Sequence, residues 1–510
     1  MTQVISQKSN QPTLSTGDAT SSREPFQADS LAVGLFVLLT MSLIQRSIGF
    51  ARSIGFCRFL DEETLGQWAM ALSFINLITP MFLLGLPGSI VRYVEHYRRR
   101  GQLQCFIHRV VFGTAVLTLI AAATMTLQPK WFASLIFREE TIVQPIAALS
   151  VGLIAIVVFN FLEQLVSGLR QVRVASVMQF VHSVGFTVLS LGWLMMGGDF
   201  SGLILTFALA AFIGCLPAVW ILMRDWRELP RAEERLTNVA FVQRIAPYAL
   251  SLWAINLIGN LFDISDRYMI LHFSSDNPGV GQAMVGEYFS ARMLPVLLLS
   301  LGVMISGVLM PYLTADWESG HRRRVVARLN KTLLLISGTF TFCSAIGMLA
   351  APWMFTYLLD GRYAQGLDVM PITFIFCAWS GLILVAQDYL WCAEKGKLVG
   401  IALAIGLGAN IVLNAALLPH LGLYGAVLAT TIANLLVLML VLAFMWCNDF
   451  TFDHSLAFVL VMPATLIAGP VAALAATLIV AAVNPHAQRY LRQVKVEVQK
   501  RSSQLRSVWT

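Results

Sequence analysis

The sequence predicts an all-α integral membrane protein with twelve core transmembrane helices in two pseudo-symmetric six-helix lobes, followed by a C-terminal apolar segment. The 510-residue chain is 57% hydrophobic and 12% charged, whereas soluble domains carry about 25% charged residues. Its charges cluster between apolar runs of about 20 residues, long enough to cross a hydrocarbon core of about 30 Å. Several sequence features also recur in the same order in the two halves of the chain.

The elements follow in order from a polar N-terminal stretch. Residues 1–30 are rich in Ser, Thr and Gln, which predicts a disordered cytoplasmic N-terminus. No small-residue cleavage site follows a short apolar core, so the apolar run from Leu31 is interpreted as a membrane helix rather than a signal peptide. The hydropathy pattern then predicts twelve spans: 31–56, 65–92, 104–127, 142–169, 173–197, 202–223, 244–272, 284–313, 332–358, 366–391, 398–418 and 422–447.

These spans divide the chain into an N-lobe (31–223), a cytoplasmic linker (224–243), a C-lobe (244–447), and an extra apolar segment with a basic tail (448–510). Arg and Lys are concentrated in the even-numbered connections between spans, which by the positive-inside rule places the N-terminus in the cytoplasm. The net charge of +7 fits this membrane pattern, so no nucleic-acid partner is expected.

The apolar segment 455–483 allows two interpretations. A single crossing would place the tail outside, although Arg489, Arg492 and Lys495 in that tail favour the cytoplasm. Pro463 and Pro470 instead suit a broken or re-entrant element. The sequence leaves both open.

The chain shows no sign of cofactor chemistry. It has no Gly-rich phosphate loop and no connection long enough for a nucleotide-binding domain, so neither ATP hydrolysis nor another enzymatic activity is expected. Its seven cysteines form no C-x-x-C pair, which predicts neither disulfides nor a metal site.

An internal repeat links the halves. Gly66 and Gly286 open spans 2 and 8 and lie 220 residues apart, and Glu163 and Asp388 in spans 4 and 10 lie 225 apart. An offset of six spans gives both halves the same orientation. The pseudo-symmetry axis should therefore follow the membrane normal, with a cavity between the lobes.

Several motifs resemble those of one transporter family. The segment R-F-L-D-E-E-T-L-G-Q-W (58–68) resembles the turn after the first helix of Wzx-type polysaccharide flippases, with Asp61 where Gly is usual. D-R-Y-M-I-L (266–271), V-G-E-Y-F-S-A (285–291), N-I-V-L-N (410–414) and L-G-L-Y-G-A-V-L-A-T (421–430) are similar to later motifs of that family. The resemblance covers about 31–447 and extends to the multidrug/oligosaccharidyl-lipid/polysaccharide exporter superfamily.

The resemblance implies a transporter of the bacterial cytoplasmic membrane that flips a lipid-linked oligosaccharide for polysaccharide or lipopolysaccharide synthesis. Its expected partners are that substrate, membrane lipids and other polysaccharide-assembly proteins. Rival interpretations are a drug exporter of the multidrug and toxin extrusion (MATE) type, a lipid II-type flippase, a membrane polymerase or ligase, and a scaffold. A drug exporter for cations would need an acidic cavity, whereas span 1 is rich in arginine.

Span 7 carries the densest set of polar groups. Asn256, Asn260, Asp263 and Arg267 share one helical face, and Asp266 lies beside them. A cavity wall with a coupling acid is one interpretation, and a structural Asp–Arg pair is the other. Glu163 and Asp388 are further candidates for H⁺ or Na⁺ coupling, with salt bridging as the alternative.

Arginine side chains are the candidates for substrate binding. A guanidinium grips a diphosphate through paired hydrogen bonds. Resemblance to lipid II flippases implies that Arg52, Arg92 and Arg292 lie where cavity arginines are expected. For Arg92, a plain cytoplasmic anchor is the alternative role.

Overall fold

The computed structural model describes residues 31–83, 94, 97, 101–225, 238–453, 456–484 and 488, and the regular secondary structure of these residues is entirely helical. The N-lobe contains α1 (Leu31–Phe59), α2 (Glu62–Leu83), α3 (Leu103–Leu127), α4 (Pro129–Phe137), α5 (Gln144–Gly168), α6 (Val172–Met195) and α7 (Phe200–Asp225). The C-lobe contains α8 (Asn238–Phe273), α9 (Pro278–Arg292), α10 (Pro295–Glu318), α11 (Arg322–Trp353), α12 (Ala364–Cys392) and α13 (Gly396–Trp446). Two short helices follow, α14 (Leu456–Ala464) and α15 (Pro470–Val483).

The predicted all-helical membrane fold is confirmed. Eight helices within the described ranges are long and apolar enough to cross a membrane by length and composition. The helix α13 holds two predicted spans, because Gly422 adopts a φ of 56° and the chain turns back there. Asn410 of the first arm then donates a hydrogen bond to Thr430 of the second, at 3.4 Å. The part of predicted span 2 beyond Leu83 lies outside the described residues.

Predicted span 8 is two helices rather than one. The helix α9 ends at Arg292 and α10 begins at Pro295. Proline has no N–H to donate to the preceding turn, and its ring clashes with that turn, so a helix kinks or breaks there. The break sets Arg292 at the end of a helix, inside the predicted span 284–313.

The two lobes repeat one packing pattern. In the N-lobe, α1 packs on α6, and Arg52 donates to Thr187 across that contact. In the C-lobe, α8 packs on α13, and Ser265 donates to Asn410. In each lobe the first predicted span therefore packs on the fifth, as expected for a repeat.

The bundle has two distinct ends. We call the end that carries the α5–α6, α10–α11 and α12–α13 connections the basic face, since basic residues cluster there. The other end, with the α1–α2 and α8–α9 connections, is the distal face.

The lobes meet near the distal face where α2 crosses α9. A Cβ on Gly66 would lie 1.7 Å from the Gln282 carbonyl oxygen, and one on Gly286 would lie 2.1 Å from that of Glu62. Gln67 also donates its side-chain amide to the Gln282 side chain at 2.8 Å. The two glycines paired by the sequence repeat thus allow the two backbones to touch.

The C-terminal apolar segment is a re-entrant hairpin. Gly469, with a φ of 100°, lies between the 3₁₀ turn Thr465–Ala468 and α15. Ser337 of α11 donates to the Val459 carbonyl at 2.9 Å, which fixes the first arm. Met462 of that arm and Thr477 of the other line the same small cavity against α11, so the chain turns back. Of the two interpretations that the sequence left open, the structure shows the re-entrant one.

The glycine contact predicts a contrast between two alanine substitutions. Gly66→Ala should lower the thermal unfolding midpoint of the purified protein, because its Cβ needs space occupied by the Gln282 backbone. Such overpacking costs about 1–3 kcal/mol. Gly113→Ala is the matched control, since no atom lies within 4 Å of its added Cβ. Equal midpoints for the two variants would contradict the close contact.

Candidate functional site

A cavity of about 830 Å³ lies between the lobes, on the basic side of the α2–α9 crossing. We call it the central cavity. It is bounded by α1 and α6 of the N-lobe and by α8, α9 and α10 of the C-lobe. Four arginines line it, and no carboxylate does so among the described residues: Arg46, Arg52, Arg267 and Arg292. The wall is therefore strongly cationic.

Arg52 lies on the N-lobe wall of the central cavity. Its Nη1 donates to Thr187 Oγ1 at 3.3 Å, and its guanidinium lies 4.5 Å from the centre of the Phe186 ring. No carboxylate of the described residues lies within ion-pair distance of it. Arg52 is therefore oriented by a hydroxyl and an aromatic face, and its charge remains available to a ligand.

Arg292 and Arg267 form the C-lobe wall and share one carboxylate. Arg292 is 7% exposed and donates to Asp263 Oδ1 at 2.7 Å. Arg267 lies 4.0 Å from the other oxygen of Asp263 and donates to Ser73 of the N-lobe at 2.7 Å. One acid balances two cations, so this wall keeps a net positive charge.

The sequence did not identify every residue that lines the central cavity. Arg46 and Gln179 also line the central cavity and were not assigned to it. Arg46 lies one turn from Ser42 and Gly49, so the helical periodicity of span 1 could have identified it. Gln179 has no comparable signal. Arg92, a predicted substrate-binding residue, lies outside the described residues.

A second cavity of about 380 Å³ lies inside the C-lobe, between α8, α12 and α13. We call it the C-lobe cavity. Asn256, Asn260, Asp263 and Asp266 line it. The polar face predicted for span 7 is thus divided, because Arg267 lines the central cavity instead. Within the described part of the chain, Arg292 alone lines both cavities.

Asp266 is the most enclosed acid of the C-lobe cavity. It is 1% exposed and accepts hydrogen bonds from Tyr288 at 2.9 Å, Asn410 at 2.9 Å and Asn414 at 3.1 Å. All three donors are neutral, and no Lys or Arg of the described residues lies within ion-pair distance. The carboxylate thus joins three helices without forming an ion pair in the described part of the chain.

Glu163 and Asp388 line neither cavity. Glu163 accepts a hydrogen bond from the Gln179 side chain, so it touches the central cavity only through that residue. Asp388 is 4% exposed and accepts one from Ser306 of α10 at 2.9 Å, while its second oxygen has no partner in the described structure. Among the residues that the structure describes, neither acid forms the salt bridge that was the alternative interpretation.

Two lobes of membrane-length helices around a buried cationic cavity define a multi-pass membrane transporter. Comparison with known proteins gives its family. Residues 31–316 match the family described as polysaccharide biosynthesis protein, which is more than half of the chain. The chain therefore belongs to the polysaccharide biosynthesis protein family, in agreement with its Wzx-type motifs.

Relatives and solved structures agree with this class. The chain is 21% identical to the lipid II flippase MurJ of Bacillus subtilis (strain 168) over an alignment of 456 residues, and the match covers 81% of this chain and 82% of MurJ. A structure of lipid II flippase MurJ in an inward closed conformation superposes with a TM-score of 0.67 at 13% identity, covering 91% of this chain and 99% of that one. An inward-facing MATE multidrug transporter of the multidrug/oligosaccharidyl-lipid/polysaccharide exporter (MOP) superfamily superposes with a TM-score of 0.59 at 16% identity. This match covers 82% of this chain and 100% of that one. The fold is that of this flippase and exporter superfamily.

The Arg292–Asp263 pair predicts a compensating double substitution. Asp263→Ala should lower the thermal unfolding midpoint, because the buried guanidinium of Arg292 loses its carboxylate. The cost should be about 2 kcal/mol, less than for a fully buried pair because Asp263 opens to a cavity. Adding Arg292→Met should restore most of the midpoint. Asp360→Asn is the control, since its partner Arg58 is half exposed and Asn tolerates the positive φ of this position, and it should have little effect.

Proposed function

We propose that this protein flips a polyprenyl-diphosphate-linked oligosaccharide from the cytoplasmic to the outer leaflet of the bacterial cytoplasmic membrane, for polysaccharide or lipopolysaccharide synthesis. One observation carries this proposal: four arginines and no described carboxylate line the cavity between the lobes. The N-terminus and the basic face then lie in the cytoplasm, as the positive-inside rule expects.

A diphosphate linker fits this wall chemically. Its oxygens accept the paired N–H groups of a guanidinium, and these charge-assisted hydrogen bonds are roughly twice as strong as neutral ones. Arg52 faces the ligand from the N-lobe, while Arg267 and Arg292 face it from the C-lobe. A volume of about 830 Å³ falls within the about 300–1,000 Å³ of typical ligand pockets, enough for the diphosphate and the first sugars.

The mechanism is alternating access. The lobes touch at the distal face, and the central cavity lies on the basic side of that contact. A head group drawn between arginines of both lobes stabilises whichever arrangement brings them closest, and this difference in binding shifts the equilibrium between states. The lipid tail stays in the bilayer throughout.

The comparisons supply two rival substrates. MurJ is named for lipid II, whose recognition by the same arginines would follow the same chemistry. The MATE relative is named for multidrug resistance, and a cationic drug would meet repulsion at this wall. The charge of the cavity therefore favours an anionic lipid-linked head group over a drug.

Transport against a gradient needs an energy source, and we propose that it is H⁺ or Na⁺ acting at Asp266. This carboxylate is buried in the C-lobe with neutral donors only. A charge in such a place is costly unless a cation or proton accompanies it. Asp263, on the same cavity, is already paired with Arg292.

Head-group translocation in proteoliposomes tests the substrate. Arg52→Gln and Arg292→Gln should each slow the flipping of a polyprenyl-diphosphate oligosaccharide by about tenfold to a hundredfold, the loss expected for a hydrogen bond between charged groups. Arg323→Gln, on the exposed basic face, is the control and should flip at the wild-type rate.

The substrate panel distinguishes the rivals. Lipid II and a cationic dye are offered to the same vesicles, and protein amount and unfolding midpoint are checked for each variant. Wild-type rates in both arginine variants would refute the diphosphate site. Movement of lipid II or of the dye in preference to the oligosaccharide would replace the proposed substrate.

The coupling proposal is tested by Asp266→Asn, which keeps the side-chain shape and removes the charge. An imposed pH or Na⁺ gradient should accelerate flipping in the wild type, and the gradient that does so identifies the ion. The variant should lose that acceleration while retaining slow, gradient-independent flipping. Asp388→Asn is compared in parallel, and loss of acceleration only in that variant would move the coupling site to α12.

A further inference from the structure

Beside the α2–α9 crossing, an N-lobe loop caps a C-lobe helix. The helix α4 ends at Phe137, and Arg138 follows with a φ of 57°. Its Nη1 donates to the Leu271 carbonyl at 3.2 Å and to the Ser275 carbonyl at 2.5 Å. Leu271 lies in the last turn of α8, where carbonyl groups lack partners within the helix. An arginine at this end also meets the negative pole of the helix dipole.

On the other side of the crossing, a C-lobe loop caps an N-lobe helix. The hydroxyl of Tyr363 donates to the carbonyls of Cys57 and Leu60, at 3.2 Å each. Arg362 Nη1 lies 3.4 Å from the same Leu60 oxygen. Cys57 lies in the last turn of α1, and Tyr363 is 1% exposed, so this cap is buried.

The two caps are reciprocal. The capped helices α1 and α8 are each the first of their lobe. Each capping loop belongs to the other lobe and directly precedes the fourth predicted span of that lobe. The loops have matching backbones, since Arg138 and Asp360 both have positive φ, 57° and 54°, and lie 222 residues apart. This offset falls between the 220 residues that separate Gly66 from Gly286 and the 225 that separate Glu163 from Asp388. Each lobe therefore closes the end of the other lobe's first helix.

We propose that these reciprocal caps form a paired latch that holds the distal face shut, and that both caps must release before the central cavity opens there. The proposal rests on the alternating access of the proposed function. Separation of the lobes at the distal face breaks both caps at once, because each joins residues of different lobes. The contact between Gln67 and Gln282 lies between them, and Gln282 donates to the Phe137 carbonyl at 2.8 Å, next to Arg138.

The Arg138 guanidinium and the Tyr363 hydroxyl differ in strength as donors. Each donates to two carbonyls, but the guanidinium is charged and the hydroxyl is neutral. Hydrogen bonds of charged groups contribute about twice as much as neutral ones. Loss of the Arg138 cap should therefore raise the population open at the distal face by about tenfold to a hundredfold, and loss of the Tyr363 hydroxyl by about threefold to tenfold.

Chemical labelling from the distal side measures this population. The parent is Val303→Cys, because Val303 lines the central cavity and half of its surface is exposed there. Membrane vesicles with the distal face outward are treated with a membrane-impermeant maleimide, without substrate, and labelling at position 303 is quantified by peptide mass spectrometry. Arg138→Gln and Tyr363→Phe should each accelerate labelling by the factors above, and the two together should exceed either alone.

Two internal controls accompany the measurement. Arg328→Gln removes a 2.8 Å ion pair with Asp316 that lies within the C-lobe near the basic face, and it should leave labelling unchanged. Cys377, which is fully buried, reports unfolding in the same samples and should stay unlabelled. Labelling at position 303 that stays at the parent rate in both latch variants, or that rises only together with Cys377, overturns the latch. Because no substrate is present, this result is independent of what the protein transports.

Discussion

The cost of placing a charge in hydrocarbon governs where the ionisable side chains of the described membrane helices lie. Such a group is tolerated only against protein or water. Arg52, Arg267 and Arg292 accordingly face the cleft between the lobes, while Asp263 and Asp266 face a cavity inside the C-lobe. The same cost that removes these groups from the lipid boundary concentrates positive charge at the interface of the lobes. Stability of the fold and recognition of an anion thus have one physical origin.

Hydropathy and periodicity predict most of this architecture, because both are local properties. Apolar length gave the spans, and the repeat of Gly66 and Gly286 indicated two equivalent lobes. The polar face of span 7 was also predicted, but not its division between two cavities. That division depends on which neighbours α8 packs against, and one sequence does not contain this information. Asn410 and Asn414 donate to Asp266, and from the sequence they were noted only as the ends of the N-I-V-L-N motif.

The break between α9 and α10 links local sequence to the arrangement of the site. Pro295 ends the hydrogen-bonded ladder, and Arg292 becomes the last residue of α9. A continuous helix would have been the simpler result of the apolar pattern, and the sequence was interpreted in that way. The proline could have indicated the break, since a proline inside an apolar span removes a backbone donor. Its consequence is that Arg292 lines both cavities.

The re-entrant hairpin of α14 and α15 determines on which side the chain leaves the bundle. A segment that enters the bundle and turns back leaves the chain on the side from which it entered. One straight crossing would instead place the chain on the opposite side. Residue 484 thus emerges at the end where α1 begins. Topology reporters fused just before residue 31 and just after residue 484 would report the same compartment.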